Sequence, residues 1–138
     1  MAATKTNAKI EEHPIYVIAG KETSLVNSQC DKLLEQIIAP EQRQTCLFNP
    51  DVGQVSISQV LDELRTLPFL TDKRVVLIRS ADKFITEHRP MLENYFDNPC
   101  PTGVLILTVS SFQSNTKLAK KLTKVGRSEE HTSELQSR

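Results

Sequence analysis

Four short runs along the chain are apolar at nearly every position, with Thr45 and Thr108 the exceptions, and lack an exposed face. They are Ile15–Ala19, Thr45–Phe48, Val75–Ile78 and Val104–Val109. Continuous β-branched and aliphatic runs of this length suit strands buried on both faces, since strands with one wet face alternate. Between them the apolar residues recur at helical spacing. Val26, Cys30, Leu33 and Ile37 form one stripe, widened by Leu25, Leu34 and Ile38 and stopped by Pro40. Thr23 or Ser24 is expected to cap that helix. Ser56 with Gln59 makes a capping box for a second helix, inward at Ile57, Val60, Leu61, Leu64 and Leu67, ending before Pro68. A third helix starts around Pro90, with Met91, Leu92, Tyr95 and Phe96 inward. A fourth covers Asn115 to Val125, apolar at Leu118, Ala119 and Leu122. Strand and helix alternate throughout, which predicts an α/β fold: a three-layer domain with a parallel sheet and right-handed crossovers.

Composition leaves room for one domain. The chain has 138 residues, 38% hydrophobic and 25% charged, and its 17 basic and 17 acidic residues cancel. With no overall basic field, a direct DNA contact is not the first expectation. No apolar run is long enough to span a bilayer, and Met1–Glu12 lacks a signal-peptide core. Residues 1–13 read as a disordered lead-in, and the protein as cytoplasmic. Cys30, Cys46 and Cys100 form no Cys-x-x-Cys pair, so ordinary reduced thiols are expected.

Arg127–Arg138 stands apart. Its first eleven residues resemble the translation of a widely used sequencing adapter, so 127–138 is expected to be an artefactual or disordered tail. The domain proper is then 14–126, and the gene is expected to have continued past Gly126.

Active-site parts are missing from this scaffold. The turn after the first strand, Ala19-Gly20-Lys21-Glu22-Thr23-Ser24, has one glycine where a phosphate loop has two, and Glu22 puts a negative charge where a phosphate would sit. After the third strand Asp82 is a lone carboxylate flanked by Arg79 and Lys83, a solvated or ion-paired acid by default. A divergent nucleotide-hydrolysing domain using Lys21 and Asp82 is kept as the alternative. His88 is the one histidine in the 14–126 region, and no Gly-x-Ser-x-Gly elbow or metal-ligand spacing is present. No catalytic residue, metal or cofactor is expected.

One feature is left over. Phe69 and Leu70 follow the second helix beyond Pro68, in the link to the third strand. Two large apolar groups there either fold back onto the core, which composition alone favours, or face a partner. Pro68 would stiffen a plug presented outward.

The run from Val60 to Lys83 resembles the bacterial DNA polymerase III delta subunit. There, too, a helix ends in a Leu-Pro-Leu/Phe-Phe-like element, then a basic residue, a buried strand and an Ala-Asp/Glu-Lys segment follow. Ile15–Glu22 is similar to that family's opening strand and Gly-x-Asp/Glu turn, Leu92–Pro99 to its helix ending in Asn-Pro, and Leu118–Leu122 to its Lys-Leu-x-Lys-x-Leu helix. The resemblance implies an AAA+-like fold without a functional nucleotide site. It also implies a non-catalytic clamp-loader subunit that binds and opens the beta sliding clamp for loading on primed DNA. The parent holoenzyme would be a DNA-directed DNA polymerase, a nucleotidyltransferase. Leu67, Phe69 and Leu70, with Pro68 between them, would enter a hydrophobic pocket on the clamp. Other clamp-loader subunits would be partners of the full-length protein, DNA only an indirect one and a membrane none. The family's lid and C-terminal domains are not in this sequence.

Overall fold

In the computed structural model, residues 13–39, 41, 46–66, 73–112 and 116–130 are described. Their elements run β1 (Ile15–Ala19), α1 (Thr23–Ile37), β2 (Leu47–Phe48), α2 (Ile57–Arg65), β3 (Arg74–Ile78), α3 (Asp82–Glu87), α4 (Arg89–Asp97), β4 (Gly103–Val109), α5 (Lys117–Val125) and β5 (Gly126–Glu130). The strands form one sheet in the order β2-β3-β4-β1-β5, and every pair is parallel. Parallel strands need crossovers, and the helices between them supply these.

Two apolar layers explain why the strand runs are apolar throughout. On one face Tyr16, Ile18, Val75, Leu77, Val104 and Ile106 pack with Val26, Cys30, Leu34 and Ile38 of α1 and its end. On the other, Ile15, Val17, Val76, Ile78, Leu105 and Leu107 pack under α2, α3, α4 and α5. Residues of β1, β3 and β4 therefore alternate between two buried layers, so both faces are apolar apart from Arg74 at the start of β3 and Thr108 near the end of β4. The expected three-layer parallel α/β architecture is present. The crossover from β1 to β2 passes over one face, and those from β2 onward pass over the other. Opposite directions along the sheet with helices on opposite faces give these crossovers a common hand.

The capping box of α2 is complete. Gln59 N donates to Ser56 Oγ at 3.1 Å, and Ser56 N donates to Gln59 Oε1 at 3.0 Å. Helix α1 differs from expectation: its N-cap is Glu22, without a side-chain cap bond, rather than Thr23 or Ser24. Leu25 and Met91 were expected to face inward but are exposed. Each precedes a buried residue, Val26 or Leu92, and one helical step of about 100° carries it out of the stripe. Helix α3 was not expected. Only Phe84 and Ile85 mark it with buried side chains, too few to show a period.

At Gly126, the boundary expected for the domain, the backbone does not leave the sheet. The backbone continues as β5, with Ile15 opposite Gly126 through Ala19 opposite Glu130. The sequence of β5 contains no apolar residue after Gly126. Strand pairing is made by backbone N–H and C=O groups, so a polar run can complete the sheet edge that β1 would otherwise leave open. No periodicity could announce it.

Gly103 determines how α2 meets the sheet. A Cβ built there would lie inside the contact radius of the Leu64 carbonyl oxygen and within 3.3 Å of the Leu64 Cα. The last turn of α2 thus rests directly on the first residue of β4. Gly103→Ala should lower the unfolding free energy by about 1–3 kcal/mol, the usual cost of overpacking. Gly53→Ala, whose Cβ would meet only Asp51 Oδ1 at 3.6 Å, should change it by less than about 0.5 kcal/mol. Urea unfolding of both variants checks this, and equal midpoints would contradict the contact.

Candidate functional site

Two regions could carry function, and they lie at opposite ends of the sheet. The first is the crevice at the carboxyl ends of β1, β3 and β4, where open α/β sheets place ligands. A cavity of about 240 Å³ there is lined by Gly20, Lys21, Thr23, Arg79, Asp82 and Ser110, among others. A neighbouring one of about 340 Å³ is lined by Asp82, Thr86, Arg89, Phe112 and Thr116, among others. The fold therefore brings Lys21 and Asp82, the pair of the nucleotide alternative, to one cavity.

Their surroundings do not make a phosphate cradle. Gly20 N–H donates to Val109 O at 3.1 Å, so the one glycine of the turn is tied to β4. Asp82 Oδ1 accepts from Ser110 N and Ser110 Oγ, both at 2.9 Å, which fastens the start of α3 to the end of β4. Arg79 turns to α1: Nη1 donates to Asn27 Oδ1 at 2.8 Å, and Nη2 stands 3.6 Å from Asp31. Ser80 has φ 54°, a left-handed conformation that costs a serine about 1–2 kcal/mol. Its N–H is met by the Thr108 hydroxyl at 3.0 Å, while Ala81 N–H donates to Thr108 O at 2.7 Å. Thr108, a buried polar residue in an otherwise apolar strand, thereby holds the turn from β3 into α3. Among the described residues no group of three His, Cys, Asp or Glu side chains comes together as a metal site. No helix there is long and apolar enough to cross a membrane.

The second region is the corner where α2 ends and β3 begins. Leu67, Pro68, Phe69 and Leu70, the expected plug, lie outside the described residues. Both stems are described. On the α2 side Leu64 is fully buried, and Thr66 closes the helix through its N–H to Glu63 O at 3.2 Å and its Oγ1 to Asp62 O at 2.7 Å. On the β3 side Arg74 N–H donates to Thr102 O at 2.8 Å, just before β4. Between the stems, Arg74 Nε and Nη2 both donate to Glu63 Oε1, at 2.9 and 2.5 Å.

Tyr95 of α4 lies beneath the corner. Its ring is buried, the Arg65 guanidinium stands 5.6 Å from the ring centroid, and its hydroxyl accepts from Cys100 N at 3.1 Å. Sequence reading placed Tyr95 inward but did not single out Glu63, Arg65, Arg74 or Gly103 as a unit. Their pairing spans the link and carries no local signal.

Burial pushes the Tyr95 phenol above its ordinary value of 10.0. The Cys100 N–H and the Arg65 charge pull it down, and the Cys100 thiol adds to the rise. A raised phenol is favoured neutral in the fold. Its stabilising contribution is therefore present below about pH 10 and lost as the pH climbs past the unfolded-chain value. Unfolding free energies measured in urea from pH 8 to 11 should fall more steeply for the wild type than for Tyr95→Phe. At neutral pH the variant should be weaker by about 1 kcal/mol through loss of the acceptor for Cys100 N–H.

With this geometry in hand, the chain can be set beside known proteins. A family model described as DNA polymerase III, delta subunit, matches residues 16–131. The DNA polymerase III subunit delta of Bacillus subtilis is 28% identical over 131 residues, covering 87% of this chain and 38% of that protein. Among solved structures, the Bacillus subtilis DNA clamp loader delta protein superposes with a TM-score of 0.76 at 24% identity, over 95% of this chain and 42% of its own. A DNA polymerase III gamma subunit-related protein from Thermotoga maritima gives 0.62 at 14% identity, over 93% and 45%. At these identities the two structures speak to the fold alone. The chain spans less than half the length of these relatives.

Proposed function

The chain belongs to the DNA polymerase III delta-subunit family, and we propose from this that it is the clamp-gripping module of a clamp loader. In this reading Leu67, Phe69 and Leu70, stiffened by Pro68, enter an apolar pocket on the beta sliding clamp. The observation that carries it is the corner itself. A sequence with large apolar residues beyond a proline is flanked by two stems that are bonded to each other and seated on the sheet.

Burying three such side chains is worth about 5–9 kcal/mol gross. Association consumes on the order of 4 kcal/mol or more of that. Micromolar or weaker binding by the plug alone follows, with contacts around it adding to the affinity. Clamp opening would come from tighter binding to a clamp conformation that the closed ring cannot adopt, since a ligand shifts an equilibrium only by its differential affinity. Other clamp-loader subunits would join through parts of the longer relatives that this chain does not span. DNA would be met through the clamp, in the cytoplasm, and the module by itself would catalyse no reaction.

The nucleotide alternative keeps one observation in its favour, the shared cavity of Lys21 and Asp82. The commitments of Gly20 N–H, Asp82 and Arg79 to neighbouring protein groups count against it. Two measurements separate the readings. In pull-downs with Bacillus subtilis sliding clamp, the wild type should be retained, and the double variant Phe69→Ala, Leu70→Ala should lose at least tenfold in affinity. Equal retention would remove these residues from the grip. Calorimetric titration with ATP and magnesium should give no heat of binding, and a clear isotherm would favour the alternative.

A further inference from the structure

We infer that Glu63 and Arg74 are positioning residues for the grip. Their ion pair ties the last turn of α2 to the first residue of β3 and so fixes both ends of the link formed by residues 67–72. The inference rests on the clamp-gripping reading, but every atom of the tie lies in described residues. Arg74 presents two nitrogens to one carboxylate oxygen across eleven positions of sequence. Neither side chain is fully exposed, at 22% for Arg74 and 28% for Glu63.

The pair does not act alone on the stems. Arg74 N–H holds Thr102 O, and the next residue, Gly103, carries the Leu64 backbone. Arg65, the residue after Leu64, lies over the Tyr95 ring. Among the described residues, the end of α2 is attached to β4 through Gly103, to β3 through Glu63, and to α4 through Arg65. Among the described residues, the Glu63–Arg74 pair connects the two stems directly through side chains. It holds the last turn of α2 and the start of β3 side by side, on either side of residues 67–72.

A part-exposed ion pair contributes little to global stability. Its effect here is local. Any binding element carried between the stems starts with its ends already placed, so less ordering cost falls on association. Loss of the pair should leave the fold standing and weaken only what the link binds.

The experiment compares wild type, Glu63→Gln, Arg74→Ala and the reversed pair Glu63→Arg with Arg74→Glu. Each is measured for affinity to Bacillus subtilis sliding clamp, for urea midpoint and for amide hydrogen exchange. The single variants should bind about tenfold more weakly, mainly through faster dissociation. Their urea midpoints should match wild type, and exchange should quicken across 66–74 but not across Gly103–Val109. The reversed pair should return to within about threefold of wild type, which a merely structural role for either residue would not produce.

Wild-type affinity in the single variants would overturn the inference, as would unchanged exchange at 66–74 or a reversed pair as weak as the singles. Should Arg74→Ala not fold, Arg74→Lys replaces it. That variant keeps the charge, loses the two-nitrogen contact and should bind about threefold more weakly, and wild-type binding by it counts against the tie. A wild type that itself ignores the clamp sinks the clamp reading and this inference with it, and it is told apart from the other failures by the silence of the unaltered chain.

Discussion

A parallel sheet whose central strands are apolar at nearly every position must be covered on both faces. Ile15 and Val17 require one cover, Tyr16 and Ile18 the other, and β3 and β4 repeat the demand. Among the described elements the cover is unequal, with α1 on one side and α2, α3, α4 and α5 on the other. Crowding on the second side forces backbone against backbone, and this is why Gly103 must lack a Cβ under Leu64. The close approach then sets the direction in which α2 ends. The described stems on either side of residues 67–72 take their placement from the packing of that layer.

The two ends of such a sheet have different properties. Right-handed crossovers bring strand-to-helix turns to the carboxyl ends, where backbone N–H groups and helix starts gather and ligand chemistry usually sits. In this chain those groups are largely spent on one another. Gly20 N–H is bonded to β4, the Asp82 carboxylate to Ser110, and the Arg79 guanidinium to α1. A scaffold whose carboxyl-end groups bind neighbouring turns is stiffened there. The α2–β3 corner lies at the amino ends, about 15 Å away along the five residues of β3 by the rise of an extended strand. Substitutions that consumed the crevice's polar groups could accumulate without disturbing the corner.

What could be read from the sequence follows the same physics. β1, β3 and β4 were legible because strands buried on both faces are apolar almost throughout. The helix starting at Ile57 was legible because Ser56 and Gln59 announce a reciprocal pair of bonds three residues apart. α3 was not, because six residues with two buried side chains show no period. β5 was not, because its pairing to β1 needs no particular side chain. Leu67, Phe69 and Leu70 drew attention as apolar residues out of place, a property of composition, and their placement lies outside the described residues. The stems around them gave no such signal, since Glu63 and Arg74 are ordinary surface residues until the fold sets them side by side.

That difference bears on how a grip of this kind is built. The apolar residues that would make contact are read one at a time, and each is replaceable by another of similar size. The groups that hold them in place are read only as pairs: Glu63 with Arg74, Arg65 with Tyr95, Leu64 with Gly103. A change in one partner leaves a charge, a ring or a carbonyl without its counterpart, whereas a change in the plug alters only the area buried. The geometry of the corner should therefore tolerate less variation than the plug's own chemistry, and coordinated substitution of the stem pairs is the route by which it could drift without losing its shape.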